Sequence, residues 1–115
     1  MSNLLLVKQI LSNKLSDEEL IQCLDIRNVS VIQHSILQIV DREIKQESVK
    51  ERLLEYCDYL DPQFKILGLC RIGHLAVYAL KKLEYFDEYV VKYSSLSNDD
   101  QEQVDMLEKA LCVEK

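Results

Sequence analysis

The chain is nearly without turn punctuation: its 115 residues include two glycines and one proline. So little of either excludes a fold of many short strands, which needs a turn residue at each reversal, and predicts long helices with tight joints. A membrane-length apolar run is also missing. The N-terminal Leu4-Leu5-Leu6-Val7 run is too short to span a bilayer, and it lacks the basic flank and small-residue cleavage site of a secretory leader. The expected compartment is therefore cytoplasmic. Cysteine occurs four times, at Cys23, Cys57, Cys70 and Cys112, but never as a close C-x-x-C pair that would hold a metal or run redox chemistry. Each cysteine lies among apolar residues at helical spacing and is expected to act as a small core hydrophobe. Basic residues are in deficit, 14 Lys and Arg against 20 Asp and Glu, for a net charge of −6. That sign repels nucleic acid and anionic lipid and favours a basic protein as partner.

An apolar content of 48% is enough for a real core, and the length fits a single domain over residues 1–115. Seven helices are expected. Helix 1 runs from about Asn3 to Ser12, with Leu4, Val7, Ile10 and Leu11 inward. The Ser16-Asp17-Glu18-Glu19 capping box opens helix 2, which ends near Asp25. Asn28 caps helix 3, whose Val31, Ile32, Ile36, Ile39 and Val40 follow the helical period. A second capping box, Ser48 to Glu51, opens helix 4, with Leu53, Leu54, Cys57 and Leu60 inward. Asp61-Pro62 starts helix 5, which reaches Lys82 and is so apolar that it must be covered on several sides, at the centre of the fold. Helix 6 places Phe86, Val90 and Val91 inward. Helix 7 follows the break at 94–98, with Val104, Leu107 and Leu111 inward and acidic residues in its first turn, which suits the helix dipole.

A repeat underlies this pattern. Leu20-Ile21, Leu24-Asp25 and Asn28 recur 33 positions later as Leu53-Leu54, Cys57-Asp58 and Asp61, and a further 33 gives Phe86, Val90 and Ser94. Fixed periods of this size mark stacked helical hairpins, because one hairpin cannot bury its apolar face alone. The stretch Asp61-Pro62-Gln63-Phe64-Lys65-Ile66-Leu67-Gly68-Leu69-Cys70-Arg71-Ile72-Gly73 resembles the first helix of a HEAT-like repeat, with Phe64, Lys65, Gly68, Ile72 and Gly73 in the motif places. Asn28 to Val40 keeps the apolar places but has Ile32 where the basic residue belongs. Tetratricopeptide and ankyrin signatures are absent. The resemblance to HEAT and armadillo-like proteins implies an all-α, right-handed stack of antiparallel helical hairpins, an α-solenoid of about seven helices, with a binding surface and no catalytic residues.

In such stacks the second helices of successive hairpins line one face. Sliding helix 4 onto helix 6 by 33 positions superposes Glu51 on Glu84, Glu55 on Glu88 and Tyr56 on Tyr89. Paired Glu at i and i+4 repel, by about 0.2–0.5 kcal/mol. With Asp58, Tyr59, Tyr85 and Asp87 they make an acidic, tyrosine-bearing face, and Tyr is a good interface residue. The competing reading is a solvated helix surface with tyrosines as core residues with a wet end.

Catalysis is not expected. Cys70 and His74 at i and i+4 would be half a metal site with no second half, and neither a Gly-rich phosphate loop nor a Ser-His-Asp order is present. No cofactor is expected, although a groove beside helix 5 lined by Arg71, His74 and Tyr78 is a further reading. In size, charge and fold class the chain resembles bacterial immunity proteins, which block toxins, many of them basic nucleases. That resemblance implies occlusion of a positively charged groove by the acidic face. A scaffold that binds a cellular protein without inhibiting an enzyme is the alternative, and it predicts a larger apolar patch and weaker salt dependence. Self-association through terminal helices 1 and 7 is a further option.

Overall fold

The computed structural model describes residues 3–111, apart from the side chain of Leu67. Among these residues are seven α-helices: α1 (Asn3–Leu11), α2 (Asp17–Cys23), α3 (Val29–Arg42), α4 (Glu47–Tyr56), α5 (Ile72–Lys82), α6 (Phe86–Ser94) and α7 (Asn98–Leu111). The fold is all-α, with one small hairpin. Two caps are as expected. Ser16 Oγ accepts from the Glu19 amide while Glu19 accepts from Ser16 N, and Asn28 Oδ1 accepts from Val31 N. The second expected capping box is absent. Gln46 is the N-cap of α4 and makes no side-chain capping bond, and Ser48 already lies inside the helix.

With so few glycines, three helices end on other residues in the left-handed conformation: Asn13 (φ 60°), Glu43 (φ 56°) and Glu84 (φ 68°). Each makes the same joint. Asn13 N bonds Ile10 O and Lys14 N bonds Gln9 O; Glu43 N bonds Val40 O and Ile44 N bonds Ile39 O; Glu84 N bonds Lys81 O and Tyr85 N bonds Leu80 O. These are Schellman closures, which return the orphan carbonyls of the last turn to hydrogen bonding. They join α1 to α2, α3 to α4 and α5 to α6. The joints lie 30 and 41 positions apart, so the structure does not keep a step of 33.

The extra length sits between α4 and α5, where helix 5 was expected to begin. Residues 61–71 are not α-helical. Pro62–Phe64 forms one 3-10 turn, and β1 (Lys65–Leu67) pairs antiparallel with β2 (Cys70–Arg71). Gly68 takes φ 57° at the two-residue tip, a conformation that glycine adopts without strain and that a helix cannot contain. The segment that carries the HEAT-like motif thus folds as a turn and hairpin, and α5 begins at Ile72. Gly73 serves a different end. A Cβ there would stand 2.9 Å from the Cys57 carbonyl oxygen and 2.5 Å from Leu60 Cδ2, and Gly73 N donates to Tyr59 O at 2.9 Å. The start of α5 therefore lies directly against the exit of α4.

Every residue of α5 from Ile72 to Leu80 is buried, and the helix packs against α3, α4, α6 and α7. It is central, as its apolar composition requires. The odd-numbered helices form a row, α1 against α3, α3 against α5 and α5 against α7. Ion pairs tie α4 to the α2–α3 connection, through Arg52–Asp25, and to α6, through Lys50–Glu88. One cluster of buried side chains extends from Val7 to Leu107. Cys23, Cys57 and Cys70 belong to it as free thiols; Cys112 lies outside the described residues. Burial pushes the Cys57 thiol up to about 12, far from the range of a reactive cysteine. Leu4 and Leu11 of α1, expected inward, are exposed, as is Leu111 of α7. No helix among the described residues is long and apolar enough to cross a membrane.

Candidate protein-binding face

The face read from the sequence lies on α4, α6 and the joints beside them, and the structure rearranges its members. Tyr56 is not on it. The residue is 1% exposed, and its hydroxyl donates to the Leu24 carbonyl at the end of α2. Glu84 is not on α6. It is the left-handed residue of the α5–α6 joint, and its carboxylate meets Lys45 Nζ at 2.6 Å, so the expected i, i+4 pair with Glu88 does not exist on a helix. That hydrogen bond holds the Glu84 carboxyl below its usual range and the Lys45 ammonium above its own.

Two of the remaining acids, Glu55 and Glu88, are neutralised. Glu88 lies 3.5 Å from Lys50, which also meets Glu47 at 3.3 Å. Glu55 accepts from Arg52 at 2.6 Å, and Arg52 reaches back to Asp25 of the α2–α3 connection at 2.6 Å. Arg27 donates to the Tyr59 hydroxyl at 2.8 Å, and that hydroxyl donates to Glu55 at 3.3 Å. The Glu55 carboxyl is lowered, first by the Arg52 hydrogen bond, against the opposing effect of burial. This network stitches α4 to the end of α2, and Tyr59 continues it by stacking on Phe64 at 4.4 Å. Individual exposed pairs of this kind contribute only about 0–1 kcal/mol. Their larger effect here is to tie Glu55, Glu84 and Glu88 to neighbouring segments. Glu51, Asp58 and Asp87 are exposed and have no ion-pair partner among the described residues.

The largest departure is α6. Phe86, Val90 and Val91, expected inward, are 53%, 57% and 67% exposed, and α6 has no buried residue at all. The inward side is taken by tyrosines. Tyr85 and Tyr89 pack partly buried against the core, Tyr85 beneath Lys50 and Tyr89 beneath Lys81, with the ammonium nitrogens 5.8 and 5.5 Å from the ring centres. Tyr93 stacks 5.3 Å from Tyr89 and donates to Asp105 of α7 at 3.0 Å. A tyrosine at the wet edge of a core brings more area than valine and can still place its hydroxyl. The signal was available in the sequence: Tyr85, Tyr89 and Tyr93 recur at i, i+4 and i+8, a stripe that competes with Phe86 and Val90 for the same helix.

Between α4 and α6 runs an open groove of about 240 Å³ lined by Leu54, Asp87, Glu88, Val91 and Lys92. This part of the surface combines exposed apolar side chains, a shallow furrow and, in Asp87, a carboxylate without an ion-pair partner among the described residues.

The buried His74 has its own assignment. Its Nδ1 accepts from the Arg71 amide at 2.9 Å, so Nε2 carries the hydrogen and faces Asp100 Oδ1 at 2.8 Å. Burial raises the Asp100 carboxyl, hydrogen bonds from His74 and Ser97 lower it, and the net shift is downward. Both ring nitrogens are committed, and the residue caps α5 and holds α7. Cys70 does not join it: the thiol faces Gln103 Oε1 at 3.3 Å from strand β2. Among the described residues no group of three His, Cys, Asp or Glu side chains is placed to hold a metal ion. Compared with known proteins, the chain matches no family model, no curated protein and no solved structure.

Proposed function

We propose that the chain is a non-catalytic, cytoplasmic protein-binding module, a HEAT-like stack whose α4–α6 face binds and blocks a basic protein in the manner of an immunity protein acting on a toxin such as a nuclease. The observation that supports this reading is the trio Glu51, Asp58 and Asp87, exposed and without ion-pair partners among the described residues, with Asp87 on the exposed apolar face of α6. Bare carboxylates next to apolar surface can lower the cost of desolvating a cationic partner and speed its association. Supporting a non-catalytic reading, both ring nitrogens of His74 are committed, and burial raises the Cys70 thiol, which faces Gln103.

The scaffold alternative draws on a specific observation too, the exposed Phe86, Val90 and Val91, because an adaptor is expected to present the larger apolar patch. Salt separates the two. A tagged chain is incubated with native lysate at low and high ionic strength, bound proteins are identified by mass, and any captured nuclease is assayed while the chain is titrated in. The inhibitor reading expects a basic partner whose activity falls with added chain and whose capture is lost at high salt and in the Glu51→Lys, Asp58→Lys, Asp87→Lys variant. Capture that ignores salt and those charges sinks it and leaves the scaffold.

A further inference from the structure

We infer that the outer face of α6, with the α4–α6 groove beside it, is the docking site for a basic amphipathic helix of a partner protein. This deepens the proposed function and rests on its premise of a basic protein partner.

The geometry begins with the helical wheel. At about 100° per residue, Phe86 and Val90 share one flank of the exposed arc, Val91 occupies the other, and Asp87 projects between them. All four are exposed. An apolar face with a carboxylate in its middle is an unfavourable surface to leave bare, since the valines and phenylalanine order water and the carboxylate stays unpaired. It is also a specific surface to cover. The covering element must bring apolar side chains at the spacing of a helix turn and a cation among them. The furrow between α4 and α6 continues this face: Leu54 and Val91 form its apolar walls and Asp87 one edge. Two adjacent helices with an apolar furrow between them are a common seat for a third helix, which buries anchors at i, i+3 or i+4 and i+7.

Charge selects the occupant. Helices α4 and α6 carry Glu47, Glu51, Glu55, Asp87 and Glu88 against Lys50, Arg52 and Lys92, and the two acids among them without ion-pair partners, Glu51 and Asp87, are exposed. A second copy of the chain, placed by two-fold symmetry, would bring Asp87 toward its own image and acids toward acids. An anionic lipid surface meets the same repulsion. A helix with lysines or arginines flanking an apolar stripe meets neither cost.

The test uses the full chain and two fluorescent peptides of about eighteen residues. One has leucines at helical spacing and lysines elsewhere; the other has the same composition scrambled so that no apolar face forms. Binding is followed by anisotropy at about 0.15 M salt. The amphipathic peptide is expected to bind about tenfold more tightly than the scrambled one. The Phe86→Ser, Val90→Ser, Val91→Ser triple variant and the Asp87→Lys variant should each lose about tenfold, whereas Leu4→Ser with Leu11→Ser, an exposed apolar pair on α1, should leave binding unchanged. All these positions are exposed, and matched circular dichroism melts check that each variant folds. Equal binding of the two peptides, full binding by the triple variant, or loss through the α1 pair overturns the inference. So does sedimentation showing a dimer that the triple variant abolishes. The two readings fail separately: a basic protein captured equally by wild type and triple variant removes this docking site and keeps the proposed function, while specific peptide docking with no basic protein captured does the reverse.

Discussion

Helices α4 and α6 align at a 33-residue offset, follow the same kind of left-handed glutamate joint, and end up in opposite conditions. On α4, Val49, Leu53 and Tyr56 are buried. On α6 nothing is, and its branched and aromatic residues face solvent while its tyrosines face in. The difference comes from position. Helix α4 rests on α5, receives the close approach of Gly73 at its exit and bonds the end of α2 through Tyr56, so its inner residues are enclosed. Helix α6 rests on α5 and meets α4 through one ion pair and an open furrow. A repeated pattern therefore specifies a helix and a partner layer, but neighbours decide how much of the pattern is covered.

The largest test of this contrast exchanges the aligned tyrosines for alanine. Tyr56→Ala should cost about 3–5 kcal/mol, since it opens a cavity and strips the Leu24 carbonyl of its donor. Tyr89→Ala should cost about 1–2 kcal/mol, because the ring is only partly covered. Urea unfolding monitored by circular dichroism reads both, and equal losses would abolish the distinction.

Next is the anchor that holds α7 independently of α6. Asp100→Ala leaves the buried His74 Nε2–H unsatisfied and should cost about 1–3 kcal/mol. The pH dependence follows from the lowered Asp100 carboxyl. A carboxyl whose folded value is lowered stabilises the fold above its ordinary value, 3.8, and that contribution is lost as pH falls through the folded value. Melting temperature should thus fall in acid below that ordinary value, and Asp100→Asn should fall less steeply there.

A smaller effect, of opposite sign, tests the shared joints. Glu43→Gly should stabilise by about 0.5–1 kcal/mol by relieving the left-handed backbone before α4, read as a raised midpoint in urea. Smallest of all, Phe86→Ser and Val90→Ser should each stay within about 0.5 kcal/mol, whereas Leu53→Ala on α4 should cost about 2–5 kcal/mol. Amide exchange sharpens the same comparison, with α6 expected to open at lower free energy than α4.

The class of the fold was legible because its determinants are local. The Ser16 and Asn28 caps, the apolar period of α3 and the all-round apolarity of α5 each act within a turn or two of helix. Residues 61–71 were not legible as a hairpin, since Asp61-Pro62 is as good a start for a 3-10 turn as for an α-helix, and only the left-handed Gly68 decides between them. The face was legible in location but not in membership. Arg52–Glu55 is an i, i+3 pair that helical spacing reports, but Arg27 reaches Glu55 and Lys50 reaches Glu88 from distant positions, which it does not. On α6 two stripes of comparable apolarity compete, and the winner depends on Lys81 and Asp105, which lie on other helices.

The arrangement at His74 gives the molecule a reporter of its own. Its Nε2 hydrogen lies wholly out of contact with solvent and points at a carboxylate on another helix. A proton so shielded exchanges slowly with water and resonates far downfield of the backbone amides, alone among the described histidines in being fully buried. One line in a proton spectrum would then track whether α7 is seated on α5, through heating, acid or capture of a partner, with no label attached to the chain.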